Sequence, residues 1–144
     1  MITRRDFVKM GCAACAGASF LVLESCESVH YIQGTLEPTG LSVLQSEFNL
    51  ATSPPGFRQY VIVRNERLEF PICIYRSNDN EFNALLMRCT HQGTELQAFG
   101  DHLQCPAHGS EFNSKGQVAQ GPAEQNLRVF PVRVEGEKIM VDLK

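Results

Sequence analysis

The chain has 144 residues, of which 43% are hydrophobic and 20% are charged, and its formal net charge is −3. This length predicts one domain and leaves no room for a redox domain together with a separate large catalytic domain. The slightly acidic balance, with no basic cluster after residue 9, excludes a nucleic-acid-binding surface.

Residues 1–25 have the pattern of an export signal. Three basic residues, Arg4, Arg5 and Lys9, precede an apolar run at 10–23. This run of 14 residues is shorter than a membrane-spanning helix, which needs about 20. The segment TRRDFVK at 3–9 resembles the twin-arginine signal, which implies export of an already folded protein, a route that suits a cofactor loaded in the cytosol. A buried N-terminal helix is the alternative interpretation.

The leader is followed by Cys26, which comes directly after Leu23, Glu24 and Ser25. This segment resembles a bacterial lipobox, although Glu24 stands where a small residue is usual. The resemblance implies cleavage before Cys26 and lipid attachment to it, with 26–30 as a short tether. We therefore expect a membrane-anchored lipoprotein facing the periplasm or the cell exterior. Simple secretion and a retained N-terminal anchor are the alternatives.

The remaining segment, 31–144, indicates one all-β domain. Candidate strands lie at 31–36, 41–46, 59–64, 70–76, 81–88, 128–135 and 138–143. The segment 49–57, which contains two prolines and a glycine, is expected to be a loop. No sustained helical spacing of apolar residues follows the leader. The pattern predicts an antiparallel β-sandwich or barrel whose loops carry the functional site.

Two short segments carry the residues suited to metal chemistry. Cys89 and His91 lie in CTHQG, and after 13 further residues Cys105 and His108 lie in CPAHGS. Two cysteines and two histidines suit either a tetrahedral zinc ion or a [2Fe-2S] cluster with both histidines on one iron. Zinc fingers usually pair like with like along the chain, whereas each segment here has one of each. This order favours the cluster and leaves zinc as the alternative.

Both segments resemble the cluster-binding boxes of the Rieske [2Fe-2S] protein family, and the resemblance extends from about residue 31 to the C-terminus. It implies a Rieske-type β-fold with one [2Fe-2S] cluster held between the two loops. In the family's pattern, Cys89 and Cys105 bind one iron as thiolates. His91 and His108 bind the other iron through a ring nitrogen, with the second nitrogen exposed.

The resemblance also assigns roles to residues around these ligands. Gly93 and Gly109 lack a Cβ, so the backbone can turn tightly and bring amide groups close to the sulfurs. Ser110 corresponds to a hydrogen-bond donor near the cluster. Pro122, in the sequence Gly-Pro-Ala at 121–123, belongs to a segment that resembles the family's third loop, which packs over the cluster and limits access of water.

This sequence departs from the high-potential members of the family at three positions. Those members join an extra cysteine from each loop in a disulfide, but Thr94 and Ala107 occupy the corresponding places here. They also use a tyrosine as a hydrogen-bond donor, and Phe112 stands in its place. Because such donors raise the reduction potential, we expect an intermediate value within the Rieske range of about −150 to +300 mV.

Several other residues are expected to have no part in the site. Cys73 lies in an apolar strand and is expected to be buried and unreactive. His102 is expected on the surface of a hairpin, and His30, near the tether, has no evident partner. Three aromatic residues are expected in the core: Phe82, Phe99 and Phe130.

These features together predict one-electron transfer outside the cytoplasm, by a free carrier or by the small subunit of a larger oxidoreductase. The partners are expected to be proteins, an electron donor and an acceptor that the sequence does not name. A stand-alone catalyst is not expected, because nothing in the sequence resembles a mononuclear iron site. The alternatives are a zinc-stabilised binding module without redox activity and a Rieske domain that only senses redox state.

Overall fold

The computed structural model describes residues 29–79 and 81–144, and the structure there is almost entirely β. The twin-arginine segment, the apolar run and Cys26 lie outside the described residues. Within them, no helix has the length and apolar character needed to cross a membrane. One short 3₁₀ helix is present at Gln45–Phe48. In chain order the strands are β1 (Tyr31–Gln33), β2 (Thr35–Glu37), β3 (Gly40–Leu44), β4 (Asn49–Leu50), β5 (Gly56–Phe57), β6 (Tyr60–Arg64), β7 (Ile72–Asn78), β8 (Glu81–Leu86), β9 (Gln97–Phe99), β10 (His102–Gln104), β11 (Glu111–Asn113), β12 (Val118–Gln120), β13 (Val129–Phe130), β14 (Val132–Glu135) and β15 (Lys138–Val141).

These strands form three principal sheets and one two-stranded pair. A central five-stranded sheet has the order β1-β6-β7-β8-β13. A four-stranded sheet of order β14-β15-β3-β2 joins the N-terminal and C-terminal segments of the domain. A second four-stranded sheet, of order β12-β11-β10-β9, comes from one continuous part of the chain. The candidate metal loops are 89–94, which connects β8 of the central sheet to β9, and 105–110, which connects β10 to β11. Strands β4 and β5 form the separate pair.

The central sheet has an apolar core on each of its two faces. Alternate residues of a strand point to opposite faces. Val61 and Ile74 therefore pack in one core with residues of β3 and β15, while Ile62 and Cys73 pack in the other core with residues of β10 and β11. Burial on both faces explains why the runs 60–63 and 72–75 are almost continuously apolar. The core that contains Ile62 and Cys73 also includes Cys89 and Cys105, so the cysteines of the candidate metal loops pack against the central sheet.

The all-β prediction is confirmed, with three corrections to its details. Strand β1 pairs with β6 in parallel, so the sheets are not purely antiparallel. The predicted loop at 49–57 contains the short paired strands β4 and β5. The strands β9, β10, β11 and β12 were not predicted, because each has only three residues and offers too little alternation to show a period.

The predicted core positions of the aromatic residues are correct in two of three cases. Phe82 and Phe130 are buried, but Phe99 is 47% exposed, so its assignment to the core is wrong. In β9 the small Ala98 points inward, which directs Phe99 outward, where its ring stacks on the ring of His102 at 5.9 Å between centroids. His102 begins the second strand of the predicted hairpin.

Two further expectations concern single residues. Cys73 is fully buried, as predicted, and burial raises the pKa of its thiol above the usual range. His30 has a partner that the sequence did not indicate: its Nε2 lies 3.3 Å from Oε2 of Glu47, in the 3₁₀ helix. The contact connects the first described residues to the domain.

Candidate metal centre

The two candidate metal loops, 89–94 and 105–110, share one backbone design. In each loop the cysteine N–H donates to the carbonyl five residues later, and a glycine N–H donates back to the cysteine carbonyl. Gly93 and Gly109 have φ of +79° and +75°, conformations that favour glycine. The four hydrogen bonds are Cys89 to Thr94 at 2.8 Å, Gly93 to Cys89 at 2.8 Å, Cys105 to Ser110 at 2.8 Å and Gly109 to Cys105 at 3.0 Å.

The matching loops bring like side chains together, although each loop contributes one of each kind. Cys89 and Cys105 are each 2% exposed, and the side chain of Cys89 acts to lower the pKa of the Cys105 thiol. The rings of His91 and His108 lie 5.0 Å apart between centroids, at an angle of 88°, and both residues are exposed. The result is a buried pair of thiols beneath an exposed pair of imidazoles.

The surroundings of Cys105 favour its thiolate. Burial, the largest influence, acts to raise the pKa of this thiol. Hydrogen bonds from the backbone N–H groups of Ala107 and His108 act against it, helped by the side chains of Cys89 and Thr94, and the net pKa lies below its ordinary value. Cys73 shows the opposite behaviour in the same core, so the second loop is organised to hold a sulfur anion.

A third segment, at 120–125, is hydrogen-bonded to both loops. Thr90 Oγ1 donates to the Gln125 carbonyl at 2.6 Å, which ties the segment to the first loop. The buried Ser110 Oγ accepts from the Ala123 N–H at 3.0 Å, and Gln120 Nε2 donates to the Gly109 carbonyl at 3.2 Å. Pro122 lies in this segment and is exposed. The segment therefore lies next to both loops and is hydrogen-bonded to each of them.

The donor set suits a two-iron cluster. In residues 29–79 and 81–144, no three or more His, Cys, Asp or Glu side chains are arranged around a single metal position. A structural zinc takes four ligands on one ion. A Rieske-type [2Fe-2S] cluster instead takes two thiolates on one iron and two imidazoles on the other. The separate thiol and imidazole pairs match this second arrangement.

Two arginines at the edge of the site were not predicted from the sequence. Arg88 and Arg128 both line a cleft of about 500 Å³ next to His91 and Gly93. Arg88 directly precedes Cys89, so the sequence alone could have placed Arg88 beside the site. Arg128 follows the third segment, just before β13, and nothing in the sequence places it near Arg88.

Comparisons with known proteins agree with this site. A sequence profile of the Rieske [2Fe-2S] domain matches residues 54–131, a segment that includes both loops. The oxygenase component of dicamba O-demethylase from Stenotrophomonas maltophilia is 39% identical over 75 residues, which are 45% of this chain and 22% of that protein. The ferredoxin component of the naphthalene 1,2-dioxygenase system from Pseudomonas aeruginosa is 32% identical over 59 residues, 38% of this chain and 57% of that protein.

Among solved structures, the cyanobacterial plasma membrane Rieske protein PetC3 from Synechocystis PCC 6803 has a TM-score of 0.51 at 26% identity. The match covers 58% of this chain and 86% of that one. The chain thus aligns with most of this neighbour but with less than two thirds of either curated relative. Because the family profile matches more than half of the chain, including both candidate metal loops, the chain belongs to the Rieske [2Fe-2S] domain family.

Proposed function

We propose that this protein is a one-electron carrier outside the cytoplasm, or the small subunit of a larger oxidoreductase, with a Rieske domain at 31–144. Cys89 and Cys105 hold one iron of a [2Fe-2S] cluster, and His91 and His108 hold the other. The observation that carries the assignment is the buried thiol pair beneath the exposed imidazole pair. When bound, the cluster supplies one-electron redox chemistry.

The protein's own residues then determine the route and the surroundings of the electron. The thiol side is enclosed in the core, so a partner can approach only the side on which the histidines are exposed. The backbone N–H groups directed at Cys105 stabilise negative charge on its sulfur. The segment at 120–125, held to both loops, limits access of water on one side.

The relatives support protein partners over catalysis by this chain alone. The names of both curated relatives identify them as components of enzymes or enzyme systems that contain an oxygenase. Only 22% of the demethylase aligns with this chain, so we propose that the two share the Rieske module and not the oxygenase reaction. An oxygenase role would require a separate chain.

Metal and sulfide assays on the full chain, loaded with cofactor and purified anaerobically, test this proposal. We expect two irons, two acid-labile sulfides and, after reduction with dithionite, the rhombic EPR signal of a cluster with two histidine ligands. A colourless protein with one zinc and no sulfide would instead establish the structural zinc module.

We further propose that 1–25 is a twin-arginine signal and that lipid on Cys26 tethers the domain through 26–30. The plasma membrane location in the name of the cyanobacterial neighbour supports this. Replacing Cys26 with alanine should abolish labelling by radioactive palmitate and move the protein from the membrane to the soluble exported fraction. Replacing Arg4 and Arg5 with lysine should retain it in the cytoplasm. A Cys26→Ala variant that stays in the membrane would contradict lipid tethering.

Ser110 offers a test of how the protein sets the reduction potential. Its Oγ accepts a hydrogen bond from Ala123, which leaves the hydroxyl hydrogen free to donate, and we propose that it donates toward a cluster sulfur. A hydrogen bond of about 1 kcal/mol corresponds to roughly 40 mV for a one-electron couple. Ser110→Ala should lower the potential by about that amount.

The matched control is Ser114→Ala, in the turn after β11, which should leave the potential unchanged. Redox titration followed by EPR makes the comparison. An unchanged or higher potential in Ser110→Ala would contradict donation by this hydroxyl. A wild-type value at either extreme of the Rieske range would contradict the expected intermediate potential.

A further inference from the structure

The cleft of about 500 Å³ beside His91 is positively charged. Its charged residues are Arg88 and Arg128, and no aspartate or glutamate among the described residues lines it. Most of the remaining lining is polar, including Thr90, Gln92 and Gln125. The cleft therefore presents positive charge and hydrogen-bonding groups directly next to an exposed ring of the candidate metal centre.

Arg88 is held in place without being neutralised. Its Cζ lies 5.6 Å from the ring centroid of Phe70, and its guanidinium packs against the Cα of Gly93, where an added Cβ would be 3.3 Å from Nε. Glu95 is its partner in an antiparallel bridge, but the Glu95 carboxylate bonds to Nη2 of Arg64 at 2.6 Å. The nearest carboxylate by strand pairing is thus already occupied.

Arg128 is anchored in a similar way. Its Cζ lies 4.6 Å from the ring centroid of Phe130, and its Nη2 donates to the Leu143 carbonyl at 3.1 Å. Across residues 29–79 and 81–144, neither Arg88 nor Arg128 forms an ion pair. Within this part of the chain, the cleft thus contains two fixed guanidinium groups with unused donors and no compensating anion.

We propose that this cleft receives an aspartate or glutamate side chain of the protein that exchanges electrons with this domain. A guanidinium binds a carboxylate through two parallel N–H donors, which fixes orientation as well as proximity. A partner carboxylate bound there would place the partner's surface over His91. This inference rests on the proposed electron-transfer function, because it gives that same exposed edge a specific partner chemistry.

The lining favours a protein partner over a small-molecule ligand. Small-molecule sites are lined mainly by apolar and aromatic residues, whereas arginine is enriched in protein interfaces and their rims are polar. The net charge of the chain is −3, so an acidic partner is not attracted by the molecule as a whole. Binding therefore depends on the local arginine pair and should weaken steeply with salt.

Calorimetric titration of the full chain with a hexaglutamate peptide at low ionic strength tests the site directly. Replacing Arg88 and Arg128 together with glutamine should weaken binding by about tenfold or more, and replacing both with lysine should restore much of it. The matched control is Arg67→Gln, an exposed arginine that does not line the cleft, and it should change affinity less than about twofold. Thermal unfolding verifies that each variant is folded.

Equal weakening by Arg67→Gln, or no weakening by the double substitution, would overturn the proposal. Citrate provides the second comparison at matched ionic strength. If citrate binds at least as tightly as the peptide and depends on the same arginines, the cleft is a small-anion site and the protein-docking proposal is wrong. Because this readout does not require the cluster, it remains informative if cofactor loading fails.

Oxidation of the reduced protein by small complexes of opposite charge separates this inference from the proposed function. With ferricyanide, the double substitution by glutamine should slow oxidation about three- to tenfold at low salt, because the positive charge beside His91 is lost. With tris(phenanthroline)cobalt(III), oxidation should become faster. Equal rates in wild type and variant with both oxidants would overturn the docking site while leaving electron transfer intact. Failure of the wild type to form a cluster would overturn the proposed function instead.

Discussion

Replacing either Cys89 or Cys105 with alanine is expected to abolish binding of the two irons, whereas replacing Cys73 with alanine should preserve it. All three are free, buried cysteines of the same core, so burial alone does not distinguish them. Cys89 and Cys105 begin matching loops whose histidines are paired, and Cys89 acts on the pKa of Cys105. Loss of one thiolate leaves an iron with a single protein ligand, which is insufficient to hold the cluster.

Cys73 is a stringent control because it is also a free, buried thiol, but it lies in a strand and not in a candidate metal loop. It is the second residue of β7, pairs with Ile62 and Leu85 on the neighbouring strands, and is fully buried. Burial raises the pKa of its thiol, whereas the backbone donors around Cys105 lower the pKa there. Cys73→Ala removes only a small buried group and should cost about 1–2 kcal/mol of stability.

Iron and sulfide content per folded protein, together with the EPR signal after reduction, measures the three variants side by side. We expect two irons for Cys73→Ala and essentially none for the other two. If Cys73→Ala lost its irons to the same extent, the site assignment would be wrong. If Cys105→Ala retained both irons, another residue would have to supply the ligand.

The residue types of the site could be predicted from the sequence itself, whereas the pairing of like ligands was predicted only through the resemblance to the Rieske family. Two segments with one cysteine and one histidine each indicate a metal from residue types and spacing alone. In the structure this pairing arises because β9 and β10 are antiparallel, which places the loop before β9 and the loop after β10 at the same end of the small sheet. That relation depends on hairpins whose strands of three residues have no detectable period.

The predictable parts of the fold were those with a local signal in the sequence. The strands β6 and β7 were identified because each buries a continuous apolar run between two cores. Parallel pairing of β1 with β6 has no local signal, since strand direction is set by long-range packing. Phe99 was misplaced because hydrophobic character alone does not reveal which face of a short strand points inward. The proximity of Arg88 and Arg128 likewise depends on tertiary structure.

The second large effect is a loss of stability, expected when Gly40, which is not part of the metal site, is replaced with alanine. Gly40 begins β3 with φ of +142°, a conformation that residues with side chains rarely adopt, and an added Cβ would overlap the backbone carbonyl oxygen of Val141 in β15. Because backbone cannot move aside as a flexible side chain can, Gly40→Ala should destabilise the protein by about 3 kcal/mol or more.

Gly136→Ala is the matched control. Gly136 also has a positive φ, +61°, but nothing lies within 4 Å of an added Cβ. Gly136→Ala should therefore lower the free energy of unfolding only by the conformational penalty, about 1 kcal/mol. Thermal unfolding of the two variants in the same cofactor state gives the comparison, and the Tm of Gly40→Ala should fall by roughly 10 °C or more. Equal losses in the two variants would show that the close approach to Val141 is not what requires glycine.

The location of Gly40 also predicts what this variant should retain. Strands β3 and β15 pack in the core on the opposite face of the central sheet from Cys89 and Cys105. The folded fraction of Gly40→Ala should therefore bind two irons and give the wild-type EPR signal, while less of the protein is folded. A folded variant with an altered signal would mean that strain in the far core reaches the metal loops through the central sheet. An unaltered signal would mean that strain in the far core does not reach the metal loops through the central sheet, so a substitution there changes the stability of the domain without changing the metal site.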